Sequence, residues 1–260
     1  MTPMIQPMLA ANAAVYAIQN ATTEGKITVI VLLLLSLFSW TIIITKFRQL
    51  MIARRATKKF LATYASTRDP LDIKRKGGDF EGAPAYALYI RGADELDYQL
   101  KNNPVTVKGD RRISSASFDA VKVVLEEAAG NEAMALEKGM IVLSTAVAGG
   151  PFIGLLGTVW GVMSTFAGIA EKNQASLTAM APGVAAALVA TVTGLLVAIP
   201  AMFAYNFMVT SIRHLTQELD GYASRYANQI EHTYVDNRDI EEKIAWALAK
   251  SEMGENTPAI

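Results

Sequence analysis

The segment that decides the fold is residues 139–212, which read GMIVLSTAVAGGPFIGLLGTVWGVMSTFAGIAEKNQASLTAMAPGVAAALVATVTGLLVAIPAMFAYNFMVTSI. Its only charged residues are Glu171 and Lys172, which separate an uncharged run of 32 residues, 139–170, from one of 40 residues, 173–212. About 20 helical residues cross a hydrocarbon core of about 30 Å, so each run is long enough to span a membrane. The segment therefore predicts a transmembrane helical hairpin.

Small residues recur along both predicted helices at spacings of three and four, which place them on one helix face. In lipid, apolar side chains gain little by leaving lipid for one another, so helices associate by close backbone approach along such faces. We therefore expect the hairpin to pack against other helices and the chain to oligomerise through its glycine face. The expected helix-packing residues are Gly150, Gly154, Gly157, Gly161, Gly183 and Gly194.

Composition indicates a polytopic membrane protein with soluble parts. Of 260 residues, 52% are hydrophobic, concentrated in three blocks, and 18% are charged, placed between them. The net charge of zero gives no support to a nucleic-acid partner. There is no cysteine, which excludes disulfides and thiolate metal sites, and the two histidines stand in a polar stretch without a ligand cluster. The sequence therefore predicts no metal and no cofactor.

Charge sets the expected topology. The uncharged run 27–45 predicts a first transmembrane helix over 26–46, and ten Lys or Arg residues against two Asp residues follow between Lys46 and Lys76. By the positive-inside bias, the N-terminus is periplasmic and the chain from residue 46 onwards is cytoplasmic. The same cluster resembles a nucleic-acid patch, but its place directly after a span favours topology and anionic lipid headgroups.

The pattern of apolar and charged residues also predicts the remaining segments of the chain. Residues 1–25 predict a periplasmic or interfacial helix, since a signal peptide would need a basic region before its apolar residues. The turn 171–181 is expected to be periplasmic, 139–170 and 182–212 form the second and third transmembrane helices, and 213–260 form a cytoplasmic helix and tail. The helix continues past residue 212 because Ile212, Leu215, Leu219, Tyr222 and Tyr226 keep helical spacing.

Residues 47–138 predict a cytoplasmic helical section. Breaks are expected at Asp69-Pro70, Gly77-Gly78, Ala83-Pro84 and near Pro104, with Pro84 in the first turn of a helix. From about Ser117 a helical pattern runs without a strong stop into the second span, to about Thr165. Pro151 should kink it.

The chemistry of the spans is informative. No metalloprotease, Walker or nucleophile-elbow motif occurs, so an enzyme, including a polytopic membrane enzyme, is disfavoured. The runs 27–45, 139–170 and 173–212 contain no Asp, Glu, His, Lys or Arg. Titratable groups inside membranes carry protons or bind transported ions, so a partner would have to supply any carrier. The spans do offer hydroxyls, which either bond back to their own helix or line a polar path.

The motifs of the hairpin resemble a known family. The stretch GLLGTVWG (154–161), the APG at 181–183, Ala190-Thr191, Gly194 and AIPAMFAYN (198–206) are similar to the core of the ExbB and TolQ proteins of bacterial inner membranes. Residues 38–44, FSWTIII, resemble the end of the first TolQ span. The likeness covers all three spans and is faint in the cytoplasmic section.

The resemblance implies an all-helical homopentamer whose second and third spans extend into the cytoplasm. It also implies that these spans enclose the single membrane helices of an ExbD- or TolR-like partner carrying a membrane aspartate. The complex would convert proton flow into work on a TonB- or TolA-like periplasmic protein. Thr158 and Thr191 match the family's pore-facing threonines.

One position departs from the family pattern. Ala186 stands where the family's APGIAEAL motif has glutamate. An engineered substitution, a divergent branch or a motor of the flagellar-stator type would each explain it. Ala186, Ala190 and Thr193 share a helix face, so Ala186 and Thr193 join the expected pore lining. A non-conducting membrane scaffold is the rival hypothesis, because the spans carry no charge.

Overall fold

The computed structural model describes residues 22–107, 109–172, 177–236 and 238. The interfacial helix expected over 1–25 lies almost entirely outside these ranges, as does the tail from residue 239. The helices and strands, in chain order, are α1 (Thr23–Tyr64), α2 (Asp72–Lys76), α3 (Pro84–Asn102), β1 (Pro104–Val107), β2 (Asp110–Ile113), α4 (Ser115–Glu137), α5 (Met140–Lys172) and α6 (Leu177–Tyr234).

Within the described residues, three helices are long and apolar enough to cross a membrane, namely α1, α5 and α6. The prediction of an all-helical protein with three transmembrane helices is therefore confirmed. The chain divides into two compact units, which we name by their contents. The membrane unit comprises the described residues of 1–51 and 135–214, and the aromatic unit those of 52–134 and 215–260.

The prediction of one continuous helix from Ser117 to Thr165 is wrong, because the chain breaks between α4 and α5. Gly139 has φ +89°, a left-handed conformation that favours glycine. At the end of α4, the buried Lys46 ammonium donates to the carbonyl oxygens of Leu136, at 3.0 Å, and Ala135, at 3.4 Å. A cation that satisfies terminal carbonyls stabilises a helix end. The second span therefore begins as a new helix at Met140.

The prediction that residues 47–138 are mostly helical holds, but it missed a hairpin. Strands β1 and β2 pair antiparallel, with Pro104 opposite Ile113 and Val107 opposite Asp110. Gly109, at φ +94°, lies in the connecting turn. The β-branched residues of β1 and a glycine two residues later were the available signal. The Asp236 amide donates to Ile113 O at 3.0 Å, so the hairpin also holds the chain just after α6.

The connection between the second and third spans is shorter than the expected turn over 171–181. Helix α5 extends to Lys172 and α6 starts at Leu177, so Pro182 lies inside the helix rather than at its start. Pro151 and Pro200 also lie within continuous helices. The kink expected at Pro151 stays a prediction.

The core of the aromatic unit combines helices that are distant in sequence. Phe60 and Tyr64 of α1 meet Tyr222 of α6 with ring centroids 5.5 and 5.1 Å apart, and Tyr89 of α3 lies 5.2 Å from Tyr226. Helix α3 begins at Pro84, as predicted. The predicted packing positions of α6 are all buried, namely Ile212, Leu215, Leu219, Tyr222 and Tyr226. Aromatic pairs in these geometries add to the stability that burial provides.

Asp69 ties the end of this core to the turn before α2. Its carboxylate accepts hydrogen bonds from the Leu71 amide at 2.9 Å and the Tyr234 hydroxyl at 2.8 Å, and it pairs with Arg75. Burial alone would raise the pKa of Asp69, but these donors and the Arg75 charge outweigh it and lower the pKa below its ordinary value.

We expect the aromatic unit to lose stability in acid through this carboxyl. A group whose pKa is lowered by folding stabilises the fold above its unfolded pKa of about 3.9, and this stability is lost as the pH falls through the folded value. Thermal unfolding followed by tyrosine circular dichroism at pH 7 and at about pH 2, below the unfolded pKa, would measure the loss. Asp69→Asn should shrink the difference between the two melting temperatures, whereas Asp220→Asn, at an exposed position, should preserve it. Equal differences in both variants would contradict the assignment to Asp69.

Candidate ion pathway between α5 and α6

The glycines of α5 lie against α6 of the same chain. A Cβ atom built on Gly194 would lie 2.5 Å from Gly150 O and 3.1 Å from Gly154 Cα. One built on Gly157 would lie 2.7 Å from Ala190 Cβ and 2.8 Å from Thr28 Cγ2 of α1. The helix backbones therefore approach as closely as side chains permit.

The other two helix-packing residues make contacts of the same kind. A Cβ on Gly161 would lie 2.9 Å from Ala187 Cβ, and one on Gly183 would overlap Thr165. We expected the glycine face to mediate oligomerisation, but α6 already covers it within the chain. The glycines thus form the packed hairpin, and their positions give no reason to place a subunit contact there.

Two hydroxyls meet at the centre of this interface. The Thr158 hydroxyl of α5 and the Thr191 hydroxyl of α6 are within hydrogen-bonding distance, and either can be the donor. Close approach is possible because Gly154 and Ala190 carry little or no side chain beside them. Both threonines are half-buried. Among the described residues, this pair is the one place where a predicted hydroxyl of α5 is hydrogen-bonded to a predicted hydroxyl of α6.

The pair has more acceptors than protons. Thr158 Oγ1 lies 3.2 Å from Gly154 O and 3.3 Å from Ala187 O, and Thr191 Oγ1 lies 3.2 Å from Gly154 O. Each hydroxyl donates one proton and offers two lone pairs, so the two protons have alternative acceptors. A hydroxyl that can turn from a carbonyl to a water or an ion is suited to a polar path.

Three other hydroxyls of the two spans bond within their own helices. Thr193 donates to Val189 O at 2.8 Å, and Thr165 donates to Gly161 O at 2.7 Å. Thr145 donates to Ile141 O at 2.8 Å. These are the backbone-bonded arrangements typical of membrane helices. The structure thus joins Thr158 and Thr191, whereas Thr193, two residues after Thr191, donates to Val189 O of its own helix.

Ala186 lies in the packed part of the membrane unit, with 8% of its surface exposed. Ala190, one turn later, is fully buried against Gly157. The position that holds glutamate in the resembled family therefore has little free space in this chain alone. Among the described residues there is also no group of three or more His, Cys, Asp or Glu residues that would hold a metal ion.

Comparison with known proteins agrees with this architecture. The family model described as the MotA/TolQ/ExbB proton channel family matches residues 98–221. The chain is 34% identical over 197 residues to the biopolymer transport protein ExbB of Pseudomonas putida, covering 75% of this chain and 56% of that protein. It is 31% identical over 189 residues to the Tol-Pal system protein TolQ of Pseudomonas aeruginosa, covering 73% of this chain and 80% of that protein.

A third relative is matched over a larger share of its own length. The ExbB protein of Neisseria meningitidis serogroup B is 31% identical over 205 residues, which cover 75% of this chain and 86% of that protein. The region matched by the family model contains α5, residues 177–221 of α6 and the Thr158–Thr191 pair. With its three apolar helices, this chain is a multi-pass membrane protein that belongs to the MotA/TolQ/ExbB proton channel family.

Proposed function

We propose that this chain is the pentameric subunit of a proton-driven motor in the bacterial inner membrane. Five copies surround the single-span helices of an ExbD- or TolR-like partner, and the complex couples ion flow to work on a TonB- or TolA-like protein in the periplasm. The observation that carries the proposal is the Thr158–Thr191 pair, because it places exchangeable hydroxyls between two spans of a proton-channel family member.

The partner has to supply the proton carrier. The three apolar runs contain no Asp, Glu, His, Lys or Arg, and the glutamate position of the family is occupied by Ala186. A carboxylate within the membrane is costly unless it faces water or polar groups. In our proposal a partner aspartate carries the proton, and Thr158 and Thr191 hold the waters that connect it to the cytoplasm.

The proposed topology places the N-terminus in the periplasm and the C-terminus in the cytoplasm. It rests on the ten basic residues between Lys46 and Lys76, which follow the first span directly. The aromatic unit is then cytoplasmic, and the short connection between α5 and α6 is periplasmic. The chain contains no cysteine, so single cysteines introduced at exposed positions would report their side of the membrane by labelling.

Proton flux separates a motor subunit from a scaffold. The assay makes the outside of the liposomes acidic and lets a counter-ion compensate the charge that protons carry inward. Under these conditions, the interior of liposomes that contain the chain with its co-purified single-span partner should acidify faster than the interior of empty liposomes. The same complex with the partner's aspartate changed to asparagine should leak no faster than empty liposomes. Flux at the empty-liposome level in the unmodified complex would instead support a non-conducting scaffold, which the uncharged spans also permit. Native mass spectrometry of the same preparation would count the copies.

A further inference from the structure

The second half of α1 carries basic side chains on the face turned away from its core contacts. The buried residues of this part of the helix are Leu50, Ala53, Thr57 and Phe60. The exposed cations, which we call the basic face of α1, are Arg54, Arg55, Lys58 and Lys59. Their spacing puts them on the opposite side from the buried set.

The basic face lacks acidic partners. In the described ranges, none of its four cations lies within 4 Å of a carboxylate. The Lys59 ammonium instead lies 5.9 Å from the centre of the Phe80 ring. Asp79 and Glu81 flank Phe80, so acids are available nearby but are not paired with this face. Like charges along a helix repel one another, so an anionic ligand bound to this face would stabilise it.

The helix itself joins this face to the first span. Helix α1 is continuous from Thr23 to Tyr64, so Arg54 lies eight residues, about 12 Å, beyond Lys46, and Lys58 about 18 Å beyond it. Headgroups occupy about 5–7 Å on each side of the hydrocarbon core. Cα–Cβ bonds tilt towards the helix N-terminus, so the basic side chains lean back towards the span.

We propose that the basic face of α1 binds anionic phospholipid headgroups, with Arg54 and Arg55 making the close contacts. The inference rests on the three-span placement and goes beyond the proposed motor function. With Lys46 placed at the edge of the hydrocarbon core and α1 along the membrane normal, the Cα atoms of Arg54 and Arg55 lie within one Debye length, about 10 Å, of the headgroup layer, whereas those of Lys58 and Lys59 lie beyond it. Clusters of basic residues directly after a span bind anionic lipid in this way. The contacts hold α1 at a fixed depth in the bilayer.

A local lipid probe tests this inference. Because the chain has no cysteine, Met51→Cys creates a single labelling site, at a residue that is 39% exposed on α1. The labelled full chain is reconstituted in vesicles, and its fluorescence is quenched by headgroup-spin-labelled phosphatidylglycerol or phosphatidylcholine. We expect phosphatidylglycerol to be preferred near the label. Arg54→Gln with Arg55→Gln should reduce this preference by on the order of tenfold, and added salt should weaken it.

The matched variant removes the same charge further from the membrane. Lys58→Gln with Lys59→Gln should retain most of the preference for phosphatidylglycerol, because screening weakens the more distant cations. Equal quenching by the two lipids in the unmodified chain would overturn the inference, as would equal losses in the two double variants. Loss of binding to a single-stranded RNA oligomer in Arg54→Gln with Arg55→Gln, without a change in lipid preference, would identify a nucleic-acid surface instead.

Discussion

Gly194→Leu is expected to abolish the folded hairpin. Even the first carbon of a side chain at this position would lie 2.5 Å from Gly150 O, a backbone atom that cannot rotate away. The two helices would have to separate along the whole small-residue interface, at a cost exceeding the roughly 1–3 kcal/mol of a typical overpacked core. Fluorescence-detected size-exclusion chromatography of detergent extracts should show little monodisperse protein.

Gly168→Leu is the matched control for this change. Gly168 lies in the same hairpin, in α5, and a Cβ atom built on it meets nothing within 4 Å. The variant should elute like the unmodified chain, although it adds the same side chain to an apolar helix. Gly194→Ala should fall between the two. Normal folding of Gly194→Leu would show that the helices are further apart than the structure places them.

Thr158→Val combined with Thr191→Val should lower proton flux by about tenfold or more while leaving assembly intact. Valine has nearly the shape of threonine but neither donates nor accepts a hydrogen bond. Replacing both partners by apolar groups of the same shape is nearly neutral for stability. Hydrogen bonds to charged species contribute about 1.5–3 kcal/mol each, so the loss of two should raise the barrier for a passing proton. Liposome flux with the partner complex measures the effect.

Two further threonines make the flux result specific. Thr145 is exposed and donates to Ile141 O, so Thr145→Val should leave flux unchanged. Thr193→Val should have a smaller effect than the pair, because its hydroxyl bonds within α6. Unchanged flux in the Thr158 and Thr191 double variant would leave these threonines as packing residues and remove the main support for the proposed path.

The sequence predicted the elements whose signals are local. Uncharged runs of sufficient length gave the three spans, and the apolar spacing after Ile212 gave the buried positions of α6 in the aromatic unit. The hairpin at Pro104–Ile113 was missed because its strands are four residues each, too short for their alternation to stand out beside the flanking helices. Gly139 was missed because an isolated glycine is tolerated inside a helix.

The sequence by itself determined the three spans, their lack of Asp, Glu, His, Lys and Arg, and the small-residue face on each helix of the hairpin. Only the tertiary structure decided that the two faces cover each other within one chain. It also decided that Thr158 meets Thr191, 33 residues away, while Thr193 keeps a partner in its own helix. The physical reason is that periodicity identifies which face of a helix carries side chains small enough for close contact. Which other helix that face contacts, and at which residues, depends on how the two helices align in space.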